Sequence, residues 1–187
     1  MLLRNRALTI DNAPAVAVKG YEHLPSGAIS VIRWLNANGV DFVLVGAIAR
    51  AVRGELGSGG TVAIVPAPYG RNLERLTKAL LAVRARERNH SELLGIKGMS
   101  ASADTLKINA ELLLGAKGLS LMCGEHQLDI EGRPPKSPSY QDLLYEAVRV
   151  EFAQGVFAEV AAPEDIEHYA HVRLTGQVPE IVVSRKS

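Results

Sequence analysis

The stretch that decides the fold runs from residue 35 to residue 54 and reads LNANGVDFVLVGAIARAVRG. Its centre, residues 41–45 (DFVLV), is a short apolar run rich in β-branched and aromatic residues, which is typical of a buried strand. Residues 27–38 place apolar side chains on one helical side, and Gly39 stands where a helix ends. Residues 47–56 predict a second helix after Gly46. The stretch therefore predicts a helix, a buried strand and another helix.

The next segment continues this alternation. Residues 61–65 (TVAIV) predict another buried strand that is closed by Pro66. Asn72 is a candidate N-cap of a helix whose apolar positions recur at spacings of three and four residues, namely Leu73, Leu76, Leu80 and Val83.

The second half adds strands and two further helices. Ser139 and Asp142 form a capping-box pattern, so we expect a helix there with Tyr140, Leu143, Leu144, Ala147 and Val148 on one face. Pro163 at a first helical position predicts a helix over residues 163–173. Residues 104–114 fit a short helix or a strand equally well. Strands are expected at residues 119–123, 126–131, 150–152, 156–160 and 181–183, with a short one at 15–18 in the N-terminal arm.

Length and composition limit the protein class. With 187 residues, 47% apolar and 22% charged, the chain suits one folded domain, which we place at residues 26–187 after an irregular arm at residues 1–25. The formal net charge of +1 gives no strong signal for nucleic acid or for a membrane surface. Neither a secretory leader nor an apolar run of membrane-spanning length is evident, so we expect a cytoplasmic protein.

Three common site patterns are incomplete. The segment from Gly54 to Thr61 imitates a phosphate-binding loop, but Gly60 stands in the lysine position and a strand follows where a helix is needed. Cys123 with His126, and His168 with His171, have metal-site spacing, yet each pair lacks a second pair to complete a zinc site. A nucleophile elbow is absent from the sequence, so a hydrolase is not favoured.

From residue 35 to about residue 165, the order of elements and several strings resemble the minimal nucleotidyltransferase family, as in bacterial abortive-infection and toxin–antitoxin proteins. The strings are LNANGVDFVLVGAIARAVRG (35–54), VAIVPAPYGRNLERLTKAL (62–80), HQLDIEGRPPKSPSYQDLLYEAV (126–148) and GVFAEVAAPEDI (155–166). The resemblance implies an α/β (α+β) fold with a nucleotidyltransferase-like mixed β-sheet flanked by helices.

The resemblance also assigns site residues. Gly46 and Ala47 match the family's glycine turn, while Thr61 and Ala63 occupy the positions of its two metal-binding carboxylates. Alternate residues of a strand share a face, so two acids there would hold magnesium together, which a threonine and an alanine do not. Asp129 matches the third carboxylate and is the implied catalytic and metal residue. Gly46, Ala47, Ser58 and Thr61 are the implied nucleotide-binding residues.

Three functions remain open at this point. The first is a pseudoenzyme that has lost catalysis and binds a nucleoside triphosphate, a protein partner or a second copy of itself. The second is an active transferase that uses Mg²⁺ at Asp129 to move a nucleoside monophosphate to a protein or RNA acceptor. The third is an unrelated small α/β binding domain. Glu131, two residues after Asp129 on the same strand face, is a candidate replacement partner for that carboxylate.

Overall fold

The computed structural model describes residues 7–11, 13, 16–55, 60–88 and 107–179. The helices are α1 (Ser26–Ala37), α2 (Gly46–Val52), α3 (Gly70–Ala82), α4 (Ala110–Leu113), α5 (Tyr140–Glu146) and α6 (Pro163–Thr175). The strands are β1 (Phe42–Val45), β2 (Val62–Pro66), β3 (Arg86–Glu87), β4 (Leu119–Cys123), β5 (His126–Ile130), β6 (Val148–Ala153) and β7 (Val156–Val160).

All these strands belong to one mixed sheet of seven strands in the order β3-β4-β5-β2-β1-β7-β6. At its centre, β1 runs antiparallel to β2 and parallel to β7, while β2 runs parallel to β5. Helix α1 packs against β2, β5 and β7, and α2 packs against β1, β2 and α6. The expected fold class, a mixed sheet flanked by helices, is confirmed.

The two faces of the sheet differ in chemistry. One face is apolar and fully buried across the central strands, with Leu44, Ile64, Leu121, Leu128 and Val160 at 0% exposure. The opposite face of β4 and β5 carries polar side chains, because strand neighbours alternate between faces. Helices α2 and α6 lie on this second side, where Arg173 of α6 reaches β5. The candidate site lies on this polar face.

Most predicted elements are confirmed, with shifted ends. Helix α2 stops at Val52, short of the predicted Leu56, because Gly54 adopts a φ of +93° that leaves the helix. Val148 does not extend the α5 helix: Ala147 is extended, and Val148 opens β6 opposite Val160.

The segment 104–114, for which the sequence fits a helix or a strand equally well, contains the short helix α4. In the arm, the strand expected at residues 15–18 is reduced to one bridge between Ala17 and Ala153. The predicted strand 181–183 lies outside the described residues.

Asn72 is not the cap that the sequence indicated. Helix α3 begins two residues earlier, at Gly70, and no side chain caps it. Asn72 is buried in the first turn, where its Oδ1 accepts from the Asp41 amide at 2.7 Å. Its Nδ2 donates to the carbonyl oxygens of Asp41 and Ala67, each at 2.9 Å. The side chain therefore ties the start of β1 to the end of β2.

In the part of the chain that the structure describes, no helix is both long enough and apolar enough to cross a membrane.

Replacing Asn72 by Ala removes all three hydrogen bonds at a buried position. We expect the free energy of unfolding to fall by about 2–3 kcal/mol, since buried backbone groups lose their partners. Urea denaturation measures this loss. Glu74→Ala, at an exposed position of the same helix, is the control and should change stability by no more than about 0.5 kcal/mol. Equal losses in the two variants would contradict the role given to Asn72.

Candidate functional site

The glycine turn at the end of β1 is packed directly on β2. Gly46 begins α2 with a φ of +70°, and a Cβ added to it would lie 2.8 Å from the Cβ of Ala63. Next to it, a Cβ added to Gly60 would lie 2.4 Å from the Cβ of Ala47. Small residues therefore face each other across the turn, and Ala63 is only 3% exposed.

Position 63 and Asp129 are neighbours across two paired strands. Ala63 is the register partner of Val45 on β1 and of Asp129 on β5, so these three residues point to the same face. On its other side, Asp129 is paired with Ser120 of β4. Strands β1 and β2 are therefore adjacent, and Asp129 faces position 63 from the neighbouring strand β5.

Two arginines hold the carboxylate of Asp129. This residue is 2% exposed, and its Oδ1 accepts a hydrogen bond from Nη2 of Arg88. Its Oδ2 accepts from Nη1 of Arg173 at 2.7 Å. Arg173 also binds Glu131, donating from Nη2 to Oε1 and from Nε to Oε2, the latter at 3.4 Å. Both oxygens of each carboxylate are therefore engaged by a guanidinium.

The same set of contacts extends to β2 through Gln127. The Gln127 Oε1 accepts from Nη1 of Arg88 and from the hydroxyl of Thr61, each at 2.9 Å. We call this group, which is Thr61, Arg88, Gln127, Asp129, Glu131 and Arg173, the arginine–carboxylate network. Thr61 is one of the implied nucleotide-binding residues, and in this structure its hydroxyl donates to Gln127.

Local structure explains how the two arginines reach Asp129. The amide of Arg88 donates to the Ser120 carbonyl at 2.8 Å, which continues the β3–β4 pairing and turns the Arg88 side chain to the polar face. Arg173 lies in the last turn of α6, where a cation is favoured by the helix dipole. Gly176, with a φ of +70°, ends that helix and fixes its last turn beside β5.

The charges in the network shift the pKa values of its members. Burial raises the pKa of Glu131, and the positive charge of Arg173 only partly opposes this shift. For Arg173, burial acts to lower the pKa, but the carboxylates of Glu131 and Asp129 outweigh burial, and the pKa is raised. Arg173 is therefore a permanent cation.

This arrangement does not fit the magnesium ion that the resemblance implies. Magnesium requires several oxygen ligands in near-octahedral geometry, whereas Ala63 offers none and the oxygens of Asp129 and Glu131 face guanidinium groups. Glu131, the candidate replacement partner, is bound by Arg173 in this structure. Among the described residues, no group of three or more His, Cys, Asp or Glu side chains is arranged to hold a metal ion.

The Cys123–His126 pair and the His168–His171 pair lie in different surroundings. Cys123 and His126 are register partners on β4 and β5, but Cys123 is fully buried, and burial raises the pKa of its thiol to about 12. A thiol with that pKa is a poor metal ligand, because the thiolate is the ligating form. Burial lowers the pKa of the His168 imidazole and so favours its neutral form. Neither pair gains the further ligands of a zinc site within the described ranges.

A cavity of about 390 Å³ lies beside the network. It is bounded by β4, the residues after β5 and the C-terminal turn of α6, and not by the glycine turn. Ser58, one of the implied nucleotide-binding residues, lies outside the described residues, as do its neighbours 57 and 59. The cavity wall includes both arginines and Glu131, but it includes neither Asp129 nor the turn residues Gly46 and Ala47.

Sequence reasoning brought together Gly46, Ala47, Thr61, Ala63 and Asp129, and the structure places all five around the start of β2 and the centre of β5. It missed Arg88 and Arg173. Each lies more than 40 residues from Asp129 in sequence, with separations of 41 and 44. The single available signal was the acid pair Asp129 and Glu131 on one strand face, which in a buried strand requires a positive partner.

No protein-family model matches the chain, and no curated protein matches it in sequence.

Gly46→Ala tests the close packing of the glycine turn, and Gly155→Ala is its matched control. Both glycines have positive φ, +70° and +71°, but only Gly46 faces another atom, while Gly155 has open space. Each variant should lose about 1–2 kcal/mol through backbone strain. Gly46→Ala should lose about 1–3 kcal/mol more through overpacking against Ala63. Thermal unfolding measures both, and equal losses would show that the turn is not packed as described.

Glu131→Gln tests the electrostatics of the network. Because burial raises the pKa of Glu131 above 4.5, its value in the absence of burial, the folded protein holds this proton more tightly than the unfolded chain does. The stabilisation is complete below the unfolded pKa and is lost as the pH rises through the folded pKa.

We therefore expect the stability of the wild type, relative to Glu131→Gln, to decrease as the pH is raised from about 4 to about 8. Urea unfolding of both proteins at a series of pH values gives this difference. All other titrating groups are shared, so the difference isolates residue 131. A relative stability that is constant or increases with pH would be the contrary result.

Proposed function

We propose that this protein is a nucleotidyltransferase-like domain that does not catalyse nucleotidyl transfer and acts by binding. The observation that carries the proposal is the state of Asp129, whose two carboxylate oxygens are held by Arg88 and Arg173. The positions that would supply the other two carboxylates hold Thr61 and Ala63. Phosphoryl transfer relies on metal charge and on positioning for nearly all its acceleration, so these residues support binding and not turnover.

The packing of the turn favours the same conclusion. A Cβ added to Gly46 would lie 2.8 Å from the Ala63 Cβ, so the turn is packed directly on position 63. The polar face of the sheet nevertheless keeps charged side chains that are held in fixed positions by ion pairs. A rigid, charged and concave surface is suited to recognition of a ligand, a protein partner or a second copy of the chain.

An active transferase is the alternative, and it makes an opposite prediction. In that function Asp129 binds Mg²⁺, so the metal must displace Arg88 and Arg173 from it. Both arginines are tied to further groups, Arg88 to Gln127 and Arg173 to Glu131. Displacement would leave the charge of Arg88, whose side chain is 7% exposed, without its carboxylate partner, which is unfavourable at a buried position.

Incubation with α-labelled ATP, GTP, CTP and UTP, with Mg²⁺ or Mn²⁺ and with protein and RNA acceptors, tests the proposal. We expect no incorporation above that of heat-denatured protein, and we expect any nucleotide binding measured by calorimetry to be the same with and without Mg²⁺. Asp129→Asn is the diagnostic variant, and Glu125→Gln, in the exposed β4–β5 turn, is its control. Metal-dependent labelling that Asp129→Asn abolishes and Glu125→Gln retains would establish the active transferase instead.

A further inference from the structure

The cavity beside the arginine–carboxylate network has an unusual balance of charge. Its wall includes three cationic side chains, Arg88, Lys117 and Arg173, and one acidic side chain, Glu131. Glu131 is not free to receive a ligand cation, because Arg173 already binds both of its oxygens. Asp129 and Glu131 offset the charges of the two arginines, so the positive charge that remains at the wall is that of Lys117.

Hydrogen-bond donors at this wall also exceed the available acceptors. The Arg88 side chain is only 7% exposed, and its Nε has no hydrogen-bond partner among the described residues. A buried donor without an acceptor is rare in native proteins and calls for an explanation. Lys117 is exposed and makes no ion pair or hydrogen bond within the described part of the chain, and neither does the Ser120 hydroxyl.

The remaining lining is apolar and small. Leu119 and Val172 are buried at 7% and 5% exposure and border the same space. A volume of about 390 Å³ lies within the usual range of small-molecule sites, which combine apolar walls with a few placed polar groups. The cavity therefore has room for an organic body as well as for an anionic group.

We propose that this cavity binds the phosphate group of a small molecule without a metal ion. Guanidinium groups match the geometry of carboxylates and phosphates. A phosphate fits better, because its three oxygens and double charge use more of the donors on Arg88, Lys117, Ser120 and Arg173 than a carboxylate does. This inference names a ligand class for the binding role proposed above and rests on that role, but it uses neither the glycine turn nor the metal positions.

The phosphate has two possible sources, free inorganic phosphate or a phosphate ester, and titration distinguishes them. The full-length chain is titrated by calorimetry, in buffer with EDTA, with inorganic phosphate, adenosine 5′-monophosphate and adenosine. Thermal unfolding with the same compounds is the second measurement. We expect both phosphate compounds to bind and to raise the unfolding temperature, and adenosine alone to do neither. Tighter binding of the monophosphate assigns an ester, and equal or tighter binding of inorganic phosphate assigns the free ion.

Lys117→Ala tests the location, since Lys117 is exposed and has no structural partner among the described residues. Loss of one charge-assisted hydrogen bond should weaken phosphate binding roughly tenfold. The matched control is Lys78→Ala, which removes an exposed lysine on α3, away from the cavity, and should leave the affinity within about twofold. The inference is overturned if neither phosphate compound binds, if adenosine binds as well as its monophosphate, or if the two lysine variants behave alike.

The two proposals fail in different ways. Labelling in the transfer assay overturns the non-catalytic role whether or not phosphate binds here. Absence of phosphate binding, together with absence of labelling, overturns only this inference and leaves the non-catalytic role intact.

Discussion

A carboxylate buried at the centre of a sheet is stable only if positive charge and hydrogen bonds replace the water that it has lost. Asp129, at 2% exposure, meets this requirement through Arg88 and Arg173. Removing one partner of such a buried ion pair typically costs about 3–5 kcal/mol, because a charge is left uncompensated. The polar face of the sheet is therefore organised around this residue: the short β3 strand places one arginine, and the last turn of α6 places the other.

The pairing of Asp129 with two guanidinium groups also distinguishes this site from a magnesium site. Magnesium and a guanidinium both neutralise a carboxylate, but magnesium needs several oxygens and exchangeable water, whereas a guanidinium needs directed acceptors. At Ala63 the acceptor is missing, and at Gly46 the close contact leaves little room to add one. Two arginines then satisfy Asp129 and Glu131 without a third carboxylate.

The parts of the fold that depend on local pattern could be predicted from the sequence. The buried strand at residues 41–45 and the capping box of Ser139 and Asp142 each carry their signal within a few residues, and both elements are present. Asn72 shows where local reasoning fails, because its bonds to Asp41 arise from packing across 31 residues and override its preference for a cap. The partners of Asp129 could not be predicted for the same reason. An arginine after a two-residue strand and another at a helix end resemble many solvated arginines until the sheet order brings them to one carboxylate.

The network also joins regions of the protein that are distant in sequence. From Thr61 on the approach to β2, hydrogen bonds pass through Gln127 to Arg88, then through Asp129 to Arg173 and Glu131. Arg88 and Arg173 also line the cavity, so an anion there would draw on the same guanidinium groups that hold Asp129. Since a guanidinium has more donors than these carboxylates use, it can bind a phosphate without releasing Asp129. The two arginines that hold Asp129 are, under the phosphate proposal, the same groups that make the neighbouring cavity suitable for an anion.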